Sequence, residues 1–386
     1  MRRRARIALA LAGIAAGVGA VYVLTAMSSA AGGPIAAGLQ RTGAMVGSLE
    51  HRVRMKIRGP GRAAQLVWLD RGRGASLENP DVILLGAYDG RLPASLDGVI
   101  DLESKIGVTL PLIQLYSAWG DKAEHQFPLL MAGAIWDMGS VPVVTWEPWL
   151  TEFDGRKRTH LPLREARDSH GLAAVARGDY DFYVDEWAAA AAKFGRPFYL
   201  RFAHEMNDPY RYPWGPQNNT KEEFIDAWRR IVTRFRAAGA TNVIWVWSPH
   251  VAYEYWDLYY PGAGTVDWVA TGVLNFGPIA QWSRWWTFDE IFGTKYATLA
   301  GFGKPVMIAE FGSLAVGGDR AAWYMDALSD LPARYPAVRS LLFFETGSDQ
   351  TVTYQKVDWR IGADTTVAAS VKRAIQTWAP PAKGTQ

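Results

Sequence analysis

Two glutamates hold the chemistry that can be read from this chain. Glu205 lies in Tyr199-Leu200-Arg201-Phe202-Ala203-His204-Glu205-Met206-Asn207, and Glu310 lies in Pro305-Val306-Met307-Ile308-Ala309-Glu310-Phe311-Gly312-Ser313. Each stretch reads as a buried parallel strand, an apolar run entered through a proline, with the acid where strand gives way to loop. Two carboxyls brought face to face suit glycoside hydrolysis. One gives a proton to the leaving oxygen. The other attacks the anomeric carbon across a gap of about 5–5.5 Å, or a water is activated between carboxyls roughly 6.5–9.5 Å apart. Partial burial and a neighbouring negative charge would raise the pKa of the acid. Taken singly, either glutamate reads equally well as a loop salt bridge; as a pair at strand ends with aromatic flanks, they read as a catalytic site.

The elements that must position them alternate. Apolar strand-like runs fall at 81–86, 110–116, 141–146, 197–203, 242–247, within 266–275, at 305–309 and at 340–344. Helical patterns fall between them at 95–106, 127–138, 182–194, 221–238, 287–299 and 320–331, with a closing helix at 365–378. Thr220, acids in the first turn and Gly239 mark the ends of the 221–238 helix. A long polar loop is expected over 147–179, and a hairpin over 53–69. Eight strands alternating with helices predict a (β/α)8 TIM barrel of the α/β class, over residues 81–380, with chemistry at the carboxyl ends of the strands. No glycine-rich phosphate fingerprint follows any strand, which disfavours a nucleotide fold.

Arg2, Arg3, Arg4 and Arg6 precede an uncharged apolar run over residues 7–27. A positive flank before such a run predicts export, by a cleaved signal peptide or a membrane anchor within residues 1–30. Residues 31–80 read as a linker and N-terminal extension. The protein is therefore expected to be extracytoplasmic, secreted or tethered. A net charge of +3 argues against a nucleic-acid partner, and the lack of cysteine excludes disulfides, thiolate nucleophiles and cysteine-ligated metals. His51, His125, His160, His170, His204 and His250 show no ligand-spaced pair, so neither a metal nor a cofactor is expected. The 18 tryptophans read either as core or, where they adjoin strand ends, as flat faces for sugar rings.

His204-Glu205-Met206-Asn207, followed by Tyr210, Tyr212, Trp214 and Gly215, resembles the acid/base motif of glycoside hydrolase family 26, which groups β-mannanases with mixed-linkage β-glucanases and β-1,3-xylanases. Ile308-Ala309-Glu310-Phe311-Gly312 resembles its nucleophile motif. Val143-Val144-Thr145-Trp146-Glu147-Pro148-Trp149, Trp245-Val246-Trp247-Ser248-Pro249 and Tyr259-Tyr260-Pro261-Gly262 are also similar to the family, and the resemblance runs from residue 81 to 360. It implies a retaining endo-β-glycanase with Glu205 as acid/base and Glu310 as nucleophile. It also implies that His204 and Asn207 orient Glu205 or contact the sugar, that Trp214 and Trp247 are sugar platforms (Trp247 reading equally as core), and that Trp146 and Glu147 line the cleft (Glu147 reading also as the partner of an arginine). Trp119 and Asn275 join them as candidate contacts to a polysaccharide, β-mannan by default, with β-glucan or an exopolysaccharide as the alternative.

Three positions depart from the family pattern. Leu274 falls where a tyrosine usually bonds the nucleophile, with Tyr253 or Tyr255 as substitutes. His250 falls where asparagine is commoner, and Phe343-Phe344-Glu345 where tryptophan is frequent. Glu345, a third acid at a strand end, reads as a contact for a sugar hydroxyl. Leu274 leaves a non-catalytic polysaccharide-binding barrel as the alternative.

Overall fold

The computed structural model of the chain describes residues 60–72, 75–350, 353 and 355–378. The expected export segment (1–30), with its apolar run 7–27, and the linker up to residue 59 lie outside the described residues. Among the described residues no helix is long and apolar enough to cross a membrane.

Residues from Arg62 onward form one compact unit. Its centre is a closed barrel of eight parallel strands in sequence order: β1 Leu84–Asp89, β2 Leu112–Ala118, β3 Val141–Glu147, β4 Phe198–Phe202, β5 Val243–Trp247, β6 Trp268–Asn275, β7 Val306–Ser313 and β8 Val338–Glu345. The (β/α)8 class expected from the alternation is the observed one. The helix Lys221–Ala237 opens on a capping box, in which Thr220 Oγ1 accepts from the Glu223 amide at 3.2 Å and Glu223 Oε2 accepts from the Thr220 amide at 2.8 Å. The expected loop at 147–179 carries a helix of its own, Gly171–Arg177, and the 320–331 helix ends early, at Leu328.

Side chains alternate between the barrel interior and the helix layer. Leu84, Leu112, Val141, Val143, Tyr199, Ile244, Val246, Trp268, Ala270, Met307, Ala309 and Leu342 form one buried cluster in the interior. Leu69 and Leu77, assigned by sequence to the extension, belong to the same cluster. The Leu77 carbonyl accepts from Tyr199 Oη at 2.7 Å and Trp268 Nε1 at 3.1 Å, which plugs the floor. The extension thus packs against the barrel floor, but not as a hairpin: its described part forms the short helices Pro60–Gln65 and Ala75–Glu78. Proline at the first position suits a helix start, because the amide it lacks would have had no partner there.

Outward positions explain the tryptophan count. Trp119, Trp146, Tyr183, Trp187 and Phe202 pack together, with Trp146 ring centroids 4.6 Å from both Trp119 and Trp187. Trp247 packs on Tyr260 and Phe302. Trp119, Trp146 and Trp247 are fully buried. They are the cement between strands and helices, and the expectation that they contact sugar is corrected.

Arg62 ties the floor together. It makes two bonds to Glu103, at 3.0 and 2.6 Å, and donates to the Leu110 carbonyl and Ser140 Oγ, just ahead of β2 and β3. Both partners are over nine-tenths buried. Truncation would strand the Glu103 carboxylate in a dry setting, so Arg62→Ala should cost about 3–5 kcal/mol in urea unfolding.

Candidate active site

Two backbone irregularities aim the paired acids. In β7 the pairing with β6 slips, so that Thr271 faces Ile308 but Gly272 faces Glu310. The extra residue is a β-bulge, and it breaks the alternation. Ala309 lies in the interior cluster and Glu310, the next residue, also turns inward, while Phe311 packs outward on Phe288 and Trp323. Glu310 therefore sits inside a strand, not after one as the sequence suggested. Glu205 lies three residues past the end of β4. Ala203 and Glu205 adopt φ of 44° and 55°, the left-handed region that costs non-glycine residues about 1–3 kcal/mol. The Ala203 amide donates to the Trp146 carbonyl (3.0 Å) and the Glu205 amide to the Ser248 carbonyl (2.7 Å), which holds the strained turn between β3 and β5.

Gly272 lies on the floor between the acids. A Cβ placed there would be 3.6 Å from Glu205 Oε1 and 3.9 Å from Glu310 Oε2. The separation of those two oxygens therefore cannot exceed the sum of these distances. The absence of a side chain leaves the space that an anomeric carbon would need.

The acids live in opposite surroundings. Glu310 Oε1 accepts from Arg201 Nη2 at 2.6 Å and Tyr116 Oη at 2.8 Å. Arg201 is fully buried, and its Nε donates to Thr145 Oγ1 at 2.9 Å. Burial and the nearby Glu310 push the Tyr116 phenol well above its ordinary pKa, so it stays a donor. Gln114, with its amide oriented to satisfy both ends, donates to the Ala309 carbonyl and accepts from Arg201 and Tyr116. Among the described residues Glu205 accepts from Arg211, whose Nη1 reaches Oε2 at 3.1 Å. Burial pushes the Glu205 carboxyl up to about 7; Arg211 and Arg201 oppose this, while Glu310 and Asp208 add to it. The result is one carboxyl saturated with donors and one poised to keep a proton near neutrality.

The remaining sequence candidates divide. Glu147 is half-buried at the end of β3, takes one bond from Trp149 Nε1 at 3.1 Å, and is pushed up to about 7 by burial. Glu147 feels the charges of Glu310, Arg201 and Arg211, so it belongs to the site. His204 is buried and kept neutral by that burial, with Nε2 3.1 Å from Tyr212 Oη. Trp214 is buried, stacks on Tyr212 at 4.5 Å, and donates to the His204 carbonyl. Asn207 clamps the loop after β5, donating to the carbonyls of His250 and Tyr253 and accepting from the His250 amide. Asn275 is fully buried and bonds Ser313 Oγ and the amides of Gly277 and Trp286. Asn207, Trp214 and Asn275 spend their polar atoms on the frame, which corrects the expectation that they contact substrate. Glu345 does likewise, accepting from the amides of Ile361 and Gly362.

Tyr116, Arg201, Arg211 and Gly272 are the functional residues that reading by sequence missed. A signal was present for two of them: Gln114, Tyr116 and Tyr199, Arg201 share inward parity with the apolar interior, where an arginine needs a buried partner. Tyr116 on β2, not Tyr253 or Tyr255, bonds the acid on β7; Tyr255 is 70% exposed. Glu205, Asp208 and His250 bring one ligand atom each within 4.8 Å of one another. His250 Nδ1, however, accepts from the Ala252 amide at 3.1 Å, so in the neutral ring Nε2 carries the hydrogen and offers no lone pair to a cation.

The chain is thus a parallel (β/α)8 barrel that carries two buried carboxyls, Glu205 and Glu310, at its C-terminal mouth. Residues 180–324 match the sequence pattern of Glycosyl hydrolase family 26. The chain is 29% identical to Endoglucanase H of Acetivibrio thermocellus over 75% of its own length and 30% of that protein's. It is 32% identical to Mannan endo-1,4-beta-mannosidase A and B of Caldalkalibacillus mannanilyticus over 24% of this chain and 20% of that protein. The chain thus spans less than a third of these relatives. A GH26 β-mannanase structure from Bacteroides ovatus shares the fold, with a TM-score of 0.55 and 17% identity over 82% of this chain and 93% of that one. These similarities, centred on residues 180–324, support a relationship to glycoside hydrolase family 26.

The raised carboxyl of Glu205 has a consequence for stability. Its folded pKa, about 7, lies above the ordinary 4.5. Folding therefore takes up a proton between these values, and the stabilisation present at low pH is lost as pH rises through 7. Glu205→Gln should remove that slope: in urea titrations its unfolding free energy should fall less between pH 5 and pH 8 than the parent's, by up to about 3 kcal/mol.

Proposed function

We propose that this chain is a retaining endo-β-glycanase in which Glu205 is the acid/base and Glu310 the nucleophile. The observation that carries the reading is the unequal treatment of the two acids around Gly272. Glu310 has Oε1 fixed by Arg201 and Tyr116, and its Oε2 is the atom turned toward the gap. Glu205 has Oε2 taken by Arg211, so its proton sits on Oε1, the atom that faces the same gap.

In the first step the Oε1 proton of Glu205 passes to the glycosidic oxygen as Glu310 Oε2 attacks the anomeric carbon. The bond to the leaving sugar breaks and a glycosyl ester forms on Glu310. In the second step Glu205, now ionised, takes a proton from water, the water oxygen bonds to the anomeric carbon, and the ester breaks. The bond from Tyr116 to Glu310 supports catalysis over the binding-barrel alternative, because it meets the need that Leu274 leaves open.

The polymer is proposed to be a β-mannan or a β-glucan. The endoglucanase relative matches three-quarters of this chain and the mannosidase relative about a quarter, which supports β-glucan beside β-mannan. We also read the protein as extracytoplasmic, supported by the arginine-led apolar run at residues 7–27. Cell fractionation should find the full chain in the membrane or the medium; recovery in the soluble cytoplasm would refute export.

Assay on β-mannan, glucomannan, mixed-linkage β-glucan, β-1,3-xylan and xyloglucan tests the reaction. Glu310→Ala should abolish cleavage of whichever polymer the parent cuts, and NMR should see the β-anomer of the new end first. Glu205→Ala should lose roughly 10²–10⁴-fold on polymer but far less on a dinitrophenyl glycoside, whose leaving group needs no proton. Added azide should restore turnover of that glycoside with a β-glycosyl azide product. An α-anomer appearing first would make the enzyme inverting. Tyr116→Phe removes one donor to a charged oxygen, so kcat should fall about 10–100-fold while the melting temperature stays close to the parent's.

A further inference from the structure

His250 follows β5 and is held more tightly than a loop residue needs to be. Its amide donates to Asn207 Oδ1 at 2.7 Å, and its carbonyl accepts from Asn207 Nδ2 and Trp256 Nε1, both at 3.2 Å. Its ring lies against Tyr253, with centroids 4.9 Å apart. The Ala252 amide occupies Nδ1, which fixes the tautomer. The remaining N–H, on Nε2, stands 3.9 Å from Glu205 Oε1, too far for a hydrogen bond. Burial pushes the ring down to about 4, with Asp208 and Glu310 opposing and Arg211 reinforcing, so the ring is neutral wherever Glu205 titrates.

When Glu205 carries its proton on Oε1, it would present a donor to a donor across the 3.9 Å gap. Once that proton has gone to the leaving oxygen, Oε1 becomes an acceptor, and closing the gap takes less than an ångström-scale swing of the carboxyl. We propose that His250 is a positioning residue for the acid/base: its Nε2–H bonds Glu205 Oε1 only in the ionised state, and so holds the carboxylate as the base for the second step. No proton passes through the ring. The proton leaves Glu205 for the sugar oxygen, a second arrives from water, and His250 keeps its own throughout. This rests on the assignment of Glu205 as acid/base. The other charges that face the pair are Arg211 and Asp208 in the loop after β4, Arg201 on β4 and Glu310 on β7.

The test uses the full chain with His250→Phe, which keeps a flat ring and loses the donor, and His250→Gln, whose amide nitrogen reaches the position of Nε2. The parent's polymer and the matching dinitrophenyl glycoside are the substrates. Loss of the donor leaves ionised Glu205 less stable, so the basic limb of kcat/KM in His250→Phe should move to higher pH. Hydrolysis of the glycosyl-enzyme should slow by about tenfold, seen as a larger dinitrophenolate burst before the steady state. His250→Gln should bring both back to within about threefold of the parent. An unmoved limb and burst in His250→Phe, or an equal loss in both variants, overturns the proposal and leaves the ring a structural one. Glu205→Gln run alongside separates the two layers: if it cleaves polymer like the parent, the acid/base assignment itself has failed.

Discussion

The site depends on one buried charge. Arg201 points into a barrel whose other inward side chains below it are apolar, and it is fully removed from solvent. An unmatched guanidinium there would be prohibitively costly, so the fold must bring it an anion and further acceptors. Glu310, Thr145 and the oriented amide of Gln114 do so. The same pairing that makes the arginine tolerable pins one oxygen of Glu310 and leaves the other to face the cleft. Stability and chemistry are here one constraint: the cation cannot be satisfied without fixing Glu310.

Glu205 follows the opposite logic. Burial raises its pKa, and Arg211 supplies a bond to Oε2. Its backbone sits in a strained left-handed turn that β3 and β5 hold through two amide bonds. The bulge in β7 and the turn after β4 both break regular geometry, and both occur at the acid. In each case regular structure would aim the side chain elsewhere, and the barrel around it bears the strain.

The cleft is unlike the one the aromatic content suggests. The large indoles at strand ends are mostly turned outward into the helix layer, while Tyr88, Leu274 and Phe344 line the mouth only partly covered. Tyr88 stacks on Phe344 and meets Tyr116 edge-on. One side of the mouth, from β1, β6 and β8, is therefore apolar. The other, from β3 to β5, carries Glu147, Arg211 and His250. A sugar bound between them would meet an apolar wall on one face and hydrogen-bonding groups on the other.

By itself the sequence determined the eight strands, their alternation with helices, the capping of the Lys221–Ala237 helix and the two acids, because these follow from local periodicity and short motifs. Period two would also have separated Glu147, which faces in, from Trp146, which faces out. Only the tertiary structure decided where that period fails: the extra residue in β7 turns Glu310 inward, and no local pattern announces a bulge. It also decided the partners. Tyr116 and Arg201 meet Glu310 across the barrel at separations of 194 and 109 residues, and Leu69 and Leu77 join a core from what reads as a linker. Closure of the sheet sets such contacts, because a side chain's neighbours inside a barrel come from strands far away in the chain.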